Sequence, residues 1–263
     1  MTTPSPNDDS QSPRVTVVVI AALSLETAPL LSRLDVRKSV TGNGYKFRNC
    51  FVDSTRVIVV EGGAGRERAR GAANAAIDAF SPDWVLSIGL SGGLRESMKT
   101  GHIVVANEVV DSNGPQEIQI PIEMQDSPAE GLHVGRVCTV DRIVRTIEQK
   151  KQLRSATEAI AVDMESLAVA STCRERHVPF MVIRSISDSL EADLPSEVLA
   201  IFGNKGTIRA GALVGSLFKR PECVKDLWKI REQATAAAKS LATFLLGVFP
   251  QLNRSEQPDQ TTS

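Results

Sequence analysis

Six short runs of β-branched and aliphatic residues, at 15–20, 57–60, 84–88, 103–105, 134–140 and 178–183, alternate with stretches of helical spacing. The runs are nearly continuous in apolar character, as strands are when both faces of their sheet are covered. Strands alternating with helices specify an α/β domain. The spacing predicts helices over 24–34, 66–80, 163–176 and from 222 to about 248. In the last of these, Leu227, Ile230, Ala234, Ala238, Leu241, Leu245 and Val248 share one face. The apolar stretch at its end, 241–249, can close the domain core or dock on lipid. Pro82 and Pro179 stand at strand starts, where a missing N–H does little harm. With no internal repeat and no linker, one domain over 14–252 is expected, between a disordered polar leader (1–13) and a similar tail (253–263).

Charge and cysteine usage narrow the function classes. A formal net charge of −1 gives no field that would draw the chain to nucleic acid or an anionic membrane. Aromatic residues make up only 4%, too few for a protein that stacks single-stranded bases. Cys50, Cys138, Cys173 and Cys223 are scattered, and the three histidines (His102, His133, His177) show no metal-ligand spacing. No metal and no cofactor is therefore expected, and the thiols are expected to be free and mostly buried. The leader has no basic segment followed by an apolar one, and no stretch reaches the roughly 18 apolar residues of a membrane span. A cytoplasmic location is the resulting expectation.

Ligands of α/β sheets bind beyond the carboxyl ends of the strands. Three acids fall there. Glu26 follows the first run through a short loop, Glu165 opens a helix after the strand-like 160–162, and Asp188 follows the run at 178–183. Each also has an ordinary structural use, because acids are favoured in first helical turns and as caps. Two glycine clusters, Glu61-Gly-Gly-Ala-Gly65 and Gly89-Leu-Ser-Gly-Gly93, are expected to be turns that bring backbone N–H groups near a ligand. Neither matches a dinucleotide or triphosphate fingerprint.

Several blocks carry a resemblance: Ala21-Ala-Leu-Ser-Leu-Glu26, Glu61-Gly-Gly-Ala-Gly-Arg66, Ser87-Ile-Gly-Leu-Ser-Gly-Gly-Leu94, Gly101-His-Ile-Val-Val105, Ala161-Val-Asp-Met-Glu-Ser166 and Val178-Pro-Phe-Met-Val-Ile-Arg-Ser-Ile-Ser-Asp188. In this order they resemble the purine nucleoside phosphorylase and nucleosidase superfamily. Within it they look most like the 5'-methylthioadenosine/S-adenosylhomocysteine nucleosidases. Two later stretches, Asp193-Leu-Pro-Ser-Glu197 and Leu213-Val-Gly-Ser-Leu-Phe-Lys-Arg-Pro221, are more similar to the hopanoid-associated phosphorylases that remove adenine from adenosylhopane.

The resemblance implies a single-domain nucleoside phosphorylase fold, a twisted mixed sheet with helices on both faces. It implies a glycosidic-bond enzyme in which Asp188 protonates N7 of the leaving purine and Glu26 activates water. Glu165 would hold the ribose hydroxyls with Met164 packed on the sugar, and Val162, Asp163, Ser91, Gly92 and Ser187 would complete the substrate site. A protonated Asp188 needs burial or a hydrogen-bonded neighbour, for which Ser187 and Ser189 are the nearest candidates.

Two departures stand out. The segment 111–158 is shorter than in the nucleosidases by about one helix, and Ile143 stands where they carry a purine-stacking Phe. Phosphorolysis would need a cationic or N–H-rich nest, for which Arg66 and Gly65 are the candidate phosphate ligands, with Arg70 beside them. Against this, a carboxylate at Glu26 suits water and repels phosphate. Hydrolysis leads. Phosphorolysis and a non-catalytic nucleoside-binding module are the alternatives. The expected partners are a small nucleoside, with phosphate in the phosphorolytic reading, and further copies of the chain, since the family forms homo-oligomers.

Overall fold

The computed structural model describes residues 15–194 and 222–252. The leader 1–13, the tail 253–263 and most of the two phosphorylase-like stretches (195–197 and 213–221) lie outside the described residues. Along the chain come β1 (Val15–Ala21), α1 (Ser24–Leu31), β2 (Asp35–Gly42), β3 (Tyr45–Val52), β4 (Thr55–Glu61), α2 (Arg66–Phe80), β5 (Trp84–Gly93), β6 (Ile103–Asp111) and β7 (Glu117–Gln119). There follow β8 (Leu132–Thr139), α3 (Ile147–Thr157), β9 (Ala161–Asp163), α4 (Ser166–Glu175), β10 (Phe180–Asp188) and α5 (Glu222–Leu252).

All six apolar runs are strands, but the pattern left some elements out. Every residue of β2 is exposed, so it has no apolar run to announce it. It is held by β3 through a hairpin whose Asn43 and Gly44 have φ of 54° and 76°, the left-handed pair that an Asn-Gly turn favours. Helix α3 is largely polar and is marked instead by its start, where Thr146 accepts from the Gln149 N–H and the Gln149 side chain returns the bond. Two expectations need correction. The second glycine cluster is not a turn, because β5 continues through Gly93 with β10 on one edge and β9 on the other. The helix expected from 163 starts at Ser166, because Asp163 still pairs with Thr139 in the sheet.

Among the described residues the mixed sheet has ten strands, and β5 is its pivot. Strands β4, β1, β5 and β10 run parallel, so their carboxyl ends share one rim. Beyond β10 the order continues through β6, β8 and β9 back to β5, which closes a five-strand ring. One edge of β5 pairs with β1 only as far as Ser87 and with β9 only from Gly92. The gap between those pairings opens the space in which the candidate site lies.

Side chains of β1 alternate between two cores, as a period of two requires. Val15, Val17, Val19 and Ala21 pack with Leu30 below α1 and with Leu241, Leu245 and Phe249 of α5. Val18 and Ile20 pack against the small residues Ala69, Ala72, Ala73 and Ala76 of α2 and against Ala168 and Val169 of α4. Helices thus cover both faces, as the resemblance implied.

The same packing decides the role of α5. Leu241, Leu245 and Phe249 are fully buried, so this stretch closes the core and is not free to dock on lipid. Among the described residues no helix is long and apolar enough to cross a membrane. Phe249→Ala is expected to cost about 3–5 kcal/mol of unfolding free energy by chemical denaturation; a loss below about 1 kcal/mol would contradict this placement.

Candidate active site

A cavity of about 190 Å³ lies where the parallel strands end, between the loop after β1, the last residues of β5 and β10, and the turn from β9 into α4. Glu26, Glu165 and Asp188 all line it, together with Ser91, Gly92, Val162, Asp163, Met164 and Ser187. Ile143, at the position of the missing aromatic, lines it too.

Glu26 is almost fully buried, and its carboxylate is held by three backbone donors. The N–H groups of Ala22 and Leu23 donate to Oε2 at 2.9 and 2.8 Å, and that of Leu90 donates to Oε1 at 2.9 Å. The bond from Leu23, at the N-cap of α1, is the ordinary capping use of an acid at the third helical position. The bond from Leu90 is not. It exists because β5 outruns β1 there and leaves an N–H unpaired on that edge. Gly89 permits the approach, since a Cβ at that position would lie 2.8 Å from Glu26 Oε1. Burial is the largest influence on Glu26 and pushes its pKa above the usual carboxylate value, while the three N–H bonds and the Arg184 charge pull it back.

Glu165 occupies the N-cap position of α4 without capping it. Its Oε1 instead accepts from the Gly65 N–H at 2.7 Å. Burial first, and the neighbouring Asp163 second, push its pKa up to about 8, with the Gly65 bond opposing them. Asp163 takes the cap, accepting from the Ser166 N–H at 3.0 Å. Its remaining capacity goes to Thr139 Oγ1 at 2.9 Å and to Arg184, whose Nε and Nη2 stand 2.8 and 2.7 Å from Oδ2. Asp163 therefore lies at the cavity wall with its oxygens bonded to protein, and its work is to hold Arg184.

Asp188 ends β10 just past a bulge, with the register against β5 shifting between Ile186 and Asp188. An extra residue in a strand lets neighbours that would face opposite ways turn to one side. Ser187 and Asp188 consequently both line the cavity, with Ser187 Oγ 2.8 Å from Asp188 Oδ1. Of the two serines expected beside the acid, Ser187 is there. Ser189 instead offers its carbonyl to Lys150 Nζ, at 2.5 Å. The other neighbour of Asp188 is Lys150 itself, fully buried, with Nζ 2.7 Å from Oδ2.

Sequence reasoning passed over Lys150 because it sits in a polar run beside Lys151, which is exposed. The available signal was its spacing: Ile147, Lys150, Leu153 and Thr157 form one inward stripe of α3. Arg184 was passed over as well, although a lone arginine inside a nearly continuous apolar strand calls for a buried partner.

The candidate phosphate ligands are placed elsewhere. Arg66 does not line the cavity; its guanidinium is 2.6 Å from Asp111 and 2.7 Å from Asp141, and it also donates to the Thr139 carbonyl at 2.8 Å. Gly65 gives its N–H to Glu165. Arg70 is exposed. In the first glycine cluster the N–H groups of Gly62 and Gly63 bond to the carbonyls of Ala21 and Ala22. Three N–H groups of the cluster, those of Gly62, Gly63 and Gly65, are thus engaged within the chain. Among the described residues no cluster of His, Cys, Asp and Glu could hold a metal ion, and Cys50, Cys138 and Cys173 are free and buried.

Comparison with known proteins identifies the family and the fold. The family model described as "Phosphorylase superfamily" matches residues 16–219. A 5'-methylthioadenosine/S-adenosylhomocysteine nucleosidase of Exiguobacterium sp. is 28% identical over 232 residues, which span 78% of this chain and 98% of that protein. The crystal structure of such a nucleosidase from Colwellia psychrerythraea, in complex with adenine, superposes with a TM-score of 0.67 at 24% identity, covering 92% of this chain and 96% of the other. Futalosine hydrolase of Helicobacter pylori superposes with a TM-score of 0.66 at 20% identity, covering 92% and 98%. At these identities the two structures speak for the fold.

The raised pKa of Glu165 has a measurable sign. The folded protein keeps a proton on this carboxyl that the unfolded chain loses above its ordinary pKa of 4.5. Its contribution to stability therefore falls as pH rises from about 4.5 through about 8. Glu165→Gln cannot titrate, so its stability relative to the wild type should grow between about pH 5 and about pH 8 in denaturant titrations. A difference that stays constant across this range would refute the assignment.

Proposed function

Because the chain belongs to the phosphorylase superfamily, we propose that it cleaves the N-glycosidic bond of a 5'-substituted adenine nucleoside, releasing adenine by attack of water at the anomeric carbon. One observation carries the choice of water: Glu26, its carboxyl held by three backbone N–H groups, lines the cavity, and among the described residues no Lys or Arg side chain does. An ionised carboxylate beside the nucleophile repels phosphate and favours a reaction centre that becomes cationic.

The residues divide the work by environment. Glycosidic cleavage builds positive charge on the sugar ring and negative charge on the departing base. Asp188, aimed by the bulge and touching Ser187, supplies the proton to N7 of the purine, and the C–N electron pair leaves with the base. Glu165, whose pKa is raised to about 8, can both donate to and accept from the ribose hydroxyls, with Met164 beside the sugar. Glu26 accepts the proton of the attacking water. Its raised pKa suits a general base, whose best value lies near the working pH. The apolar side chains of Ile143, Val144 and Leu194 provide surface for the flat base and an uncharged 5' group. Ser91, whose buried hydroxyl has no hydrogen-bond partner among the described residues, provides a polar contact for the substrate.

Assays of adenine release from methylthioadenosine, S-adenosylhomocysteine and adenosine, with and without phosphate, test the reading. Release from at least one substrate at a phosphate-independent rate is expected; release that requires phosphate would overturn the choice of water, and tight adenine binding with no release from any of them would favour a binding module. Asp188→Asn should lower kcat by about 10²–10⁴-fold with the fold intact, the usual worth of a positioned proton donor.

A further inference from the structure

Among the described residues Lys150 and Arg184 are the largest charged side chains that are fully buried, and nothing in the roles above uses Lys150. Its ammonium donates to the Ser189 carbonyl at 2.5 Å and the Ala192 carbonyl at 3.2 Å, and it stands 2.7 Å from Asp188 Oδ2 in a charge contact that lacks hydrogen-bond geometry. A fully buried ammonium is tolerable only with polar partners around it, and here these are two carbonyls and the Asp188 carboxyl, so Lys150 and Asp188 hold one another in place. The segment after β10 is tied to the start of α3 by two further bonds. The Ile147 N–H donates to Asp193 Oδ1 at 2.7 Å, and the Leu194 N–H donates to the Arg145 carbonyl at 2.8 Å. Leu194 and Ile143 both line the cavity, so this clasp joins one of its walls to the acid at its end.

We propose that Lys150 is the positioning residue of the leaving-group acid: it fixes one oxygen of Asp188 and balances the carboxylate left when the proton passes to the purine. The inference rests on the proton-donor role proposed for Asp188. The step is balanced as written. The Asp188 O–H bond breaks, a purine N–H bond forms, the glycosidic electron pair goes to the base, and the new carboxylate faces an ammonium already in contact with it. A charge pre-arranged at the place where charge develops needs no reorganisation during the reaction. A carboxyl freed to rotate would lose alignment, and misplacement by about 1 Å can cost about 10²-fold in rate.

The test is steady-state kinetics of adenine release by Lys150→Met and Lys150→Arg, with the fold of each checked by thermal melting. Lys150→Met should lower kcat by about 10²-fold with KM within about threefold of the wild type. Lys150→Arg, which keeps the charge but shifts the donating nitrogen, should fall between the two at similar KM. Should Lys150→Met not fold, Lys150→Arg decides alone, and a loss of about tenfold in kcat at constant KM is expected. A folded variant with wild-type kcat, or a loss expressed wholly in KM, overturns the positioning role. Asp188→Asn separates this failure from failure of the functional reading: an inactive Asp188→Asn beside a fully active Lys150→Met removes only the role of Lys150, whereas a fully active Asp188→Asn removes the proton-donor reading itself.

Discussion

Arg184 sits inside the sheet with almost no contact with water, and its guanidinium is bonded to Asp163, to the Ser87 carbonyl and hydroxyl, and to the carbonyl of Ile183. A cation in such a place is tolerable only with its counter-charge present and its donors satisfied. Asp163 must therefore come to Arg184, which draws β9 and β10 together across the end of β5. Met164 and Glu165 follow Asp163 directly, and Asp188 lies four positions beyond Arg184 on the same strand. One buried ion pair thus sets the floor from which two of the three acids project. Its charge also reaches Glu26 and Glu165, where it restrains the upward push of burial on both carboxyls.

Three carboxyls in one small space would ordinarily repel one another, and their surroundings explain how they coexist. Glu26 is held by backbone N–H groups, Glu165 by burial and a single N–H, and Asp188 by an ammonium and a serine hydroxyl. Different partners give chemically equal groups different tasks, the general way in which one fold runs acid and base chemistry together. Lys150 and Arg184 lie behind the acids, not among the residues that line the cavity. Among the described residues, the surface offered to a substrate carries carboxyls, the side chains of Ser91, Ser187 and Gln233, and apolar groups, a surface suited to a cationic sugar and a flat neutral base.

Much of this could be read from residue order, and the remainder was hidden for physical reasons. The apolar runs marked the central strands because burial on both faces imposes composition. The hairpin of β2 and β3 carries no such mark, since β2 is exposed throughout; only Asn43-Gly44 betrayed it. The three acids were legible from their position at strand ends. Their partners were not, because a buried pair is specified by both ends at once, and the spacing that puts Lys150 on the inward stripe of α3 does not say what it meets there. Likewise Asp163 and Arg66 have the residue types of ligand contacts. Which of them face the cavity is decided by Arg184, Asp111 and Asp141, residues distant in sequence that bind them first.

The central claim is that the cavity is built for a water molecule at the anomeric carbon. Mass analysis of the sugar product, formed in heavy-oxygen water with saturating phosphate present, addresses that claim most directly. The account requires a free sugar carrying one heavy oxygen at its anomeric hydroxyl and no phosphorylated sugar. A sugar 1-phosphate without the label would contradict it.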